Sequence, residues 1–170
     1  MKFFLLVMLI VLSGCFTKPD ALPGMQKFSK SQGMLLRLRD SLLSHYSSAG
    51  SEIEKRNILE DYHQKLLAYL INNPMDSIRV TIDEITTDGL TITTRSHFDK
   101  IAFKYGLKFN TDRSPRIDSI YRFMKSLKEG TDTLVNFSFT GACQVNSPDS
   151  ARLPTFIIYA FPIPLQYNRR

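Results

Sequence analysis

The spacing of apolar positions changes several times along the chain, and each change predicts a different element. Positions 3–12 (FFLLVMLIVL) form an unbroken apolar run, too short for the roughly 20 residues of a membrane-spanning helix. From 28 to 48 the apolar residues recur three and four apart, at Leu35, Leu38, Leu42 and Tyr46, with Leu36 and Leu43 alongside. That is the period of an amphipathic helix. Gly50 interrupts it. Ser51 with Glu54 three residues later is a capping box that opens a second helix. Leu59, Tyr62, Leu66, Tyr69 and Leu70 line one face of that helix, and Glu52/Arg56 and Asp61/Lys65 are spaced to pair across its turns. Asn72-Asn73-Pro74 stops it. Two helices joined by so few residues predict an antiparallel hairpin over 28–73.

After Pro74 the period becomes two. Ile78, Val80 and Ile82 alternate with Arg79, Thr81 and Asp83, and Leu90 and Ile92 alternate with threonines beyond Asp88-Gly89. Alternation on both sides of Asp-Gly predicts a β-hairpin, with strands at about 77–86 and 90–95. Residues 97–106 fit two templates. Phe98, Ile101, Ala102 and Tyr105 have helical spacing with Gly106 as a cap, which favours a short helix running into an extended segment; IAFKYGLKF also reads as a strand. Ser114 as N-cap and Pro115 at the first helical position open a third helix, with a stripe of Ile117, Ile120, Tyr121, Met124 and Leu127 and an end at Gly130. A β-rich run with Leu134, Phe137 and Phe139 continues towards Val145. The last apolar run, TFIIYAF at 155–161, predicts a strand buried on both faces and ended by Pro162 and Pro164.

This order predicts an α+β fold: an N-terminal helical hairpin, then an antiparallel sheet of four to five strands with a packed helix. The order of elements over 77–161 is compatible with an OB-like barrel, a fold that hosts many functions. The hairpin (28–73) and the β-rich part (75–165) together form one domain over 28–170.

The start of the chain changes the picture most. Lys2 precedes the apolar run, which has the length of a secretory h-region, and the run ends in Leu12-Ser13-Gly14-Cys15. This segment resembles the lipobox of bacterial lipoproteins. The resemblance implies a signal peptide over 1–14, acylation of Cys15 and cleavage before it. It also makes 15–27, with its two prolines and a glycine, a lipidated tether. Two or three acyl chains on one residue hold a protein at a membrane where a single chain holds it only marginally. An outer-membrane location facing the periplasm is the first expectation and the cell surface the second. Residues 16–20 lack both the acidic run that resembles a surface-export signal in Bacteroidota and the aspartate after cysteine that retains enterobacterial lipoproteins in the inner membrane.

The mature chain would hold 156 of the 170 residues, enough for one core, with a formal charge of +5 once Lys2 is removed from the total of +6. The basic residues are dispersed, which speaks against nucleic acid as a partner. With Cys15 acylated, Cys143 has no partner for a disulfide, and its strand-like surroundings predict a small buried hydrophobe.

Candidate chemistry is sparse. His45, His63 and His97 have no second histidine or cysteine at ligand spacing, and the single Glu60/His63 pair falls short of a diiron set, which needs two such pairs. No metal site and no cofactor are expected. Cys143, His97 and Asp99 are the residue types of a thiol hydrolase, but Gly141-Ala142-Cys143-Gln144 does not place the thiol at a helix N-terminus, where its pKa would fall. No catalytic residue is assigned. Asp followed by Ser or Thr and a small or aliphatic residue occurs five times, at Asp40, Asp76, Asp118, Asp132 and Asp149, against about one expected from ordinary composition. It resembles the O-glycosylation motif of exported Bacteroidota proteins, which implies Ser77, Thr133 and Ser150 as the better-placed acceptors. Asp-Ser in turns and caps explains the same pattern without a glycan. The expected function is a non-catalytic envelope lipoprotein that binds a protein partner or scaffolds an assembly. The alternative is a small-molecule or glycan-binding module built on Tyr105, Phe109, Phe137, Phe139, Phe156, Tyr159 and Phe161.

Overall fold

The computed structural model describes residues 28–88, 91–108, 115–147 and 153–163. Cys15, the tether 16–27, Gly89, Phe109, Ser114 and Ser150 lie outside these residues. Helix α1 (Lys30–Ser48) is capped by Ser29, whose hydroxyl accepts from the Gln32 N–H at 3.2 Å. Helix α2 (Glu52–Asn72) is capped by Ser51, whose hydroxyl accepts from the Glu54 N–H. Glu54 completes the cap one residue early, accepting from the Gly50 N–H at 2.8 Å. At the other end Asn72 and Asn73 donate their side-chain amides back to the carbonyls of Ala68 and Tyr69, the second of which is among the four acceptors that a helix terminus leaves open. Of the two predicted surface pairs, Lys65–Asp61 forms at 2.6 Å, while Glu52 turns to Lys55 instead of Arg56.

Five strands follow: β1 (Met75–Asp88), β2 (Thr91–Phe98), β3 (Ile101–Lys108), β4 (Asp132–Asn146) and β5 (Thr155–Ile163), with helix α3 (Pro115–Ser126) between β3 and β4. They close into a barrel in the order β1-β2-β3-β5-β4. Among the described residues the fold is thus α+β, with three helices and a five-stranded sheet closed into a small barrel, compatible with an OB-like arrangement. The sheet is not wholly antiparallel. β3 and β5 pair in parallel from Ile101↔Phe156 to Lys104↔Tyr159, and α3 lies within the crossover that such a pair requires.

Three local expectations are corrected. The 97–106 segment is two strands and a tight turn rather than a helix. Phe98 pairs with Ile101 across Asp99-Lys100, and Asp99 takes φ +52°, a conformation that aspartate tolerates better than most residues. Gly130 does not end α3, which stops at Ser126; it sits in the following turn at φ +72° and donates its N–H to the Ile82 carbonyl at 2.8 Å. Nor does Pro162 end β5. It lies opposite Phe137, beyond the point where β3 leaves β5 unpaired on one side, so its missing N–H has no ladder partner to lose.

The barrel interior is filled. Ile78, Val80 and Ile82 of β1, Ile92 of β2, Phe103 of β3 and Phe156 and Ile158 of β5 are essentially inaccessible. Phe103 stacks on Phe137 with ring centroids 4.4 Å apart and planes 9° apart, and Phe98 and Tyr105 flank this pair at 5.8 Å. β5 alternates between buried and half-buried residues instead of being inaccessible on both faces. Its outer residues Ile157, Tyr159 and Phe161 are apolar although only partly covered, on the strand that α3 contacts, hence the continuous apolar run. Outside the barrel, α1 packs on β1 and α2 on β4. Gln32, Leu35, Arg39, Leu42 and Tyr46 form the buried stripe of α1, and Tyr62, Leu66 and Leu70 that of α2.

Candidate functional site

Gln32 shows how α1 completes the barrel wall. β1 pairs with β2 only from Thr81 onward, which leaves the Arg79 backbone open on that side. The Gln32 side chain fills the gap like a missing strand. Its Nε2 donates to the Arg79 carbonyl at 3.2 Å and its Oε1 accepts from the Arg79 N–H at 3.4 Å. Two turns further on, Arg39 is ion-paired to Asp40 and to Asp99 in the β2–β3 turn. Burial works against the charge on Arg39, yet the bonds to Asp99 and Asp40 more than offset it and raise its pKa. Phe28, Leu36, Arg79, Phe98, Asp99 and Asp132 border a depression of about 240 Å³ here.

The larger opening lies where the hairpin meets the barrel. Ser31 Oγ donates to the Pro74 carbonyl at 2.9 Å and Tyr69 OH to the Ser31 carbonyl, so the start of α1 and the end of α2 lie side by side. A groove of about 490 Å³ opens at this end, with Leu70, Ile71, Pro74, Met75, Phe137 and Phe139 as its apolar lining and Asn72, Asn73, Asp76 and Ser138 as its polar lining. Its volume is that of a small-molecule site. The same end exposes large apolar side chains: Ile71 is 65% accessible, Phe28 56% and Met34 46%.

Two hydroxyl clusters lie elsewhere. In the hairpin, Tyr62 OH joins Ser41 Oγ at 2.6 Å and His45 Nδ1 at 2.9 Å, tying α1 to α2. Inside the barrel, the buried hydroxyls of Thr94, Ser96 and Tyr105 have no well-formed hydrogen bond. Tyr105 stands opposite Thr94. Burial pushes its pKa up to about 12, against a weak opposing influence of the Ser96 and Thr94 hydroxyls.

The sequence-derived candidates are not brought together. Cys143 lies opposite Ile158 on the inner face of β4, and burial pushes its thiol up, which is the reverse of what a nucleophile needs. His97 sits on the outer face of β2, held by Asp83 at 2.7 Å, and β2 and β4 are not neighbours. Asp99 is occupied by Arg39. No group of three or more metal-ligating side chains is found among the described residues. Ser77 occupies an irregular position of β1 at φ +54°, its N–H given to Asn136 Oδ1 at 2.7 Å. Thr133 lies opposite the buried Val80 and is itself half-buried. The groove and the exposed apolar end escaped sequence reasoning because only the packing of α2 on β4 brings Ile71 beside Phe137 and Phe139. No helix among the described residues is long and apolar enough to cross a membrane. Comparison with family models, with curated proteins and with solved structures finds no match to this chain.

Proposed function

We propose that this chain is a lipid-anchored envelope lipoprotein, acylated at Cys15, whose domain binds a protein partner or scaffolds an assembly without catalysing a reaction. The observation that carries the reading is the filled barrel. Phe103 and Phe137 stack at 4.4 Å in its centre, and Tyr105 and Phe156 are buried with them. Of the aromatic residues behind the ligand-binding alternative, Tyr105, Phe137 and Phe156 are therefore core, while Phe139 borders the groove and Tyr159 and Phe161 lie on the outer side of β5, so recognition falls to the outer surface. We further infer that the barrel is OB-like, from its closure, the parallel β3–β5 pair and the helix between β3 and β4. Such barrels use the face of the second and third strands for oligonucleotides and oligosaccharides. Here the outward residues are Thr93, Arg95 and His97 on β2 and Ala102, Lys104 and Gly106 on β3, which offer little for bases to stack on. A protein partner fits this surface better than a nucleic acid. The membrane of residence is proposed to be the outer one, with the domain facing the periplasm.

Crosslinking in intact native cells followed by mass spectrometry tests this reading. A reproducible partner recovered with the wild-type chain and lost with surface variants supports it, and no reproducible partner contradicts it. The binding of a small molecule or glycan is the second reading, favoured by the groove of about 490 Å³. A saturable thermal shift with a candidate ligand, abolished by Phe139→Asp, would favour it over the first.

A further inference from the structure

We infer that the end of the domain carrying Phe28, Met34 and Ile71 rests on the lipid leaflet that holds the Cys15 acyl chains. This inference builds on the proposed lipid anchor and adds the face that the domain turns to the membrane. Three observations carry it. First, that end is apolar without being covered: Ile71 and Phe28 are each more than half accessible and Met34 nearly so. Second, these residues share one end of the molecule. Phe28 immediately precedes the α1 cap and Met34 lies in the second turn of that helix, while Ile71 is in the last turn of α2, which Ser31 and Tyr69 fasten to the start of α1. Third, this is the end where the chain arrives from the lipid. Twelve residues separate Cys15 from Phe28, a reach of at most about 45 Å when fully extended and about 20 Å as a relaxed coil. At its relaxed length the tether holds this end near the bilayer and raises its effective concentration there above that of the far end.

Charge at the same end agrees. Lys30 is exposed at the start of α1, and Lys27 and Lys18 precede it in the sequence, matching anionic headgroups at the depth where an apolar side chain enters the interface. Of the acidic residues nearby, Asp76 is only half-accessible, and Asp99 and Asp132, which border the depression beside Phe28, are held by Arg39 and Thr81. The opposite end gives an internal control. Ile53, at the start of α2, is 74% accessible, yet it lies about 27 Å from Ile71 along the helix axis. If exposed apolar residues alone determined lipid contact, Ile53 would make it as well.

The chain contains no tryptophan, so single-tryptophan variants report one position each. The lipidated full chain carrying Ile71→Trp, Phe28→Trp or Ile53→Trp is reconstituted on vesicles of phosphatidylethanolamine and phosphatidylglycerol with brominated acyl chains. Loss of emission is expected for Ile71→Trp and Phe28→Trp, with Ile53→Trp unchanged. Equal quenching of all three variants, or of none, overturns the inference. Protection of Ile71→Trp from an aqueous quencher without quenching by brominated lipid also overturns it. Flotation separates this from the anchoring reading. Flotation of the lipidated chain with vesicles, together with failure of Cys15→Ser to float, supports the anchor whatever the quenching shows. Failure of the lipidated chain to float removes both.

Discussion

The hydroxyl of Tyr105 gives the sharpest test of the barrel interior. The side chain is 3% accessible and sits among Thr94, Ser96 and the Phe103–Phe137 stack. Burial disfavours the phenolate and lifts the pKa from its ordinary 10 to about 12. An acid whose pKa is raised on folding stabilises the fold below the unfolded-state pKa and loses that contribution as pH climbs through the folded-state value. Stability from this residue is therefore complete below pH 10 and lost between about 10 and 12. A shift of two units corresponds to about 2.7 kcal/mol over the whole window, of which about 1.4 kcal/mol is gone at pH 11. Tyr105→Phe removes the titrating group while keeping the ring contacts. Because the hydroxyl makes no well-formed hydrogen bond, the substitution changes stability by less than about 1 kcal/mol at pH 8. Urea unfolding of both chains from pH 8 to 11.5 measures the difference, and contributions from the shared tyrosines cancel. The variant gains on the wild type as pH rises, by about 1.4 kcal/mol at pH 11. A difference that stays flat across the range refutes the placement of this hydroxyl in a dry interior.

Three further outcomes are expected. Gln32→Leu keeps the bulk of the side chain but strips two partners from the Arg79 backbone, and it lowers unfolding free energy by about 1–3 kcal/mol in urea titrations; an unchanged midpoint would mean that the strand-like role of Gln32 is wrong. In the folded Cys15→Ser chain, Cys143 resists an aromatic disulfide reagent at pH 8 and reacts at the ordinary thiol rate in denaturant, whereas fast reaction of the native chain would contradict its burial. Protein purified from its native host exceeds its polypeptide-plus-lipid mass if Ser77, Thr133 or Ser150 carries a glycan, and peptide mapping assigns the position; a mass without excess ends that proposal.

The elements legible in the sequence are those fixed by neighbours in the chain. Ser51 and the Asn72-Asn73 pair act within their own helix, and β1 and β2, which pair antiparallel, are adjacent in sequence. The alternation of Ile78, Val80 and Ile82 survives because the barrel buries one face of β1. The rest depends on distant partners. The parallel pairing of β3 and β5 follows from closure of the barrel, because every other neighbouring pair of strands is antiparallel, and neither strand records it. The helical spacing of Phe98, Ile101 and Tyr105 arose where two strands meet at a two-residue turn, so two periods of two imitated one of 3.6. The apolar outer face of β5 under α3 concealed its alternation. The candidate site was illegible for a similar reason. The spacing puts Leu70 on the buried face of α2 and Ile71 off it, yet nothing in the sequence says that Ile71 borders a groove until β4 is packed against α2.

The central claim is that the chain is held to a membrane through Cys15, and mass spectrometry of the N-terminal peptide from native cells tests it most directly. A mature chain that begins at Cys15 and carries two or three acyl groups is the predicted result. A mature chain that begins elsewhere, or an unmodified Cys15, contradicts the account.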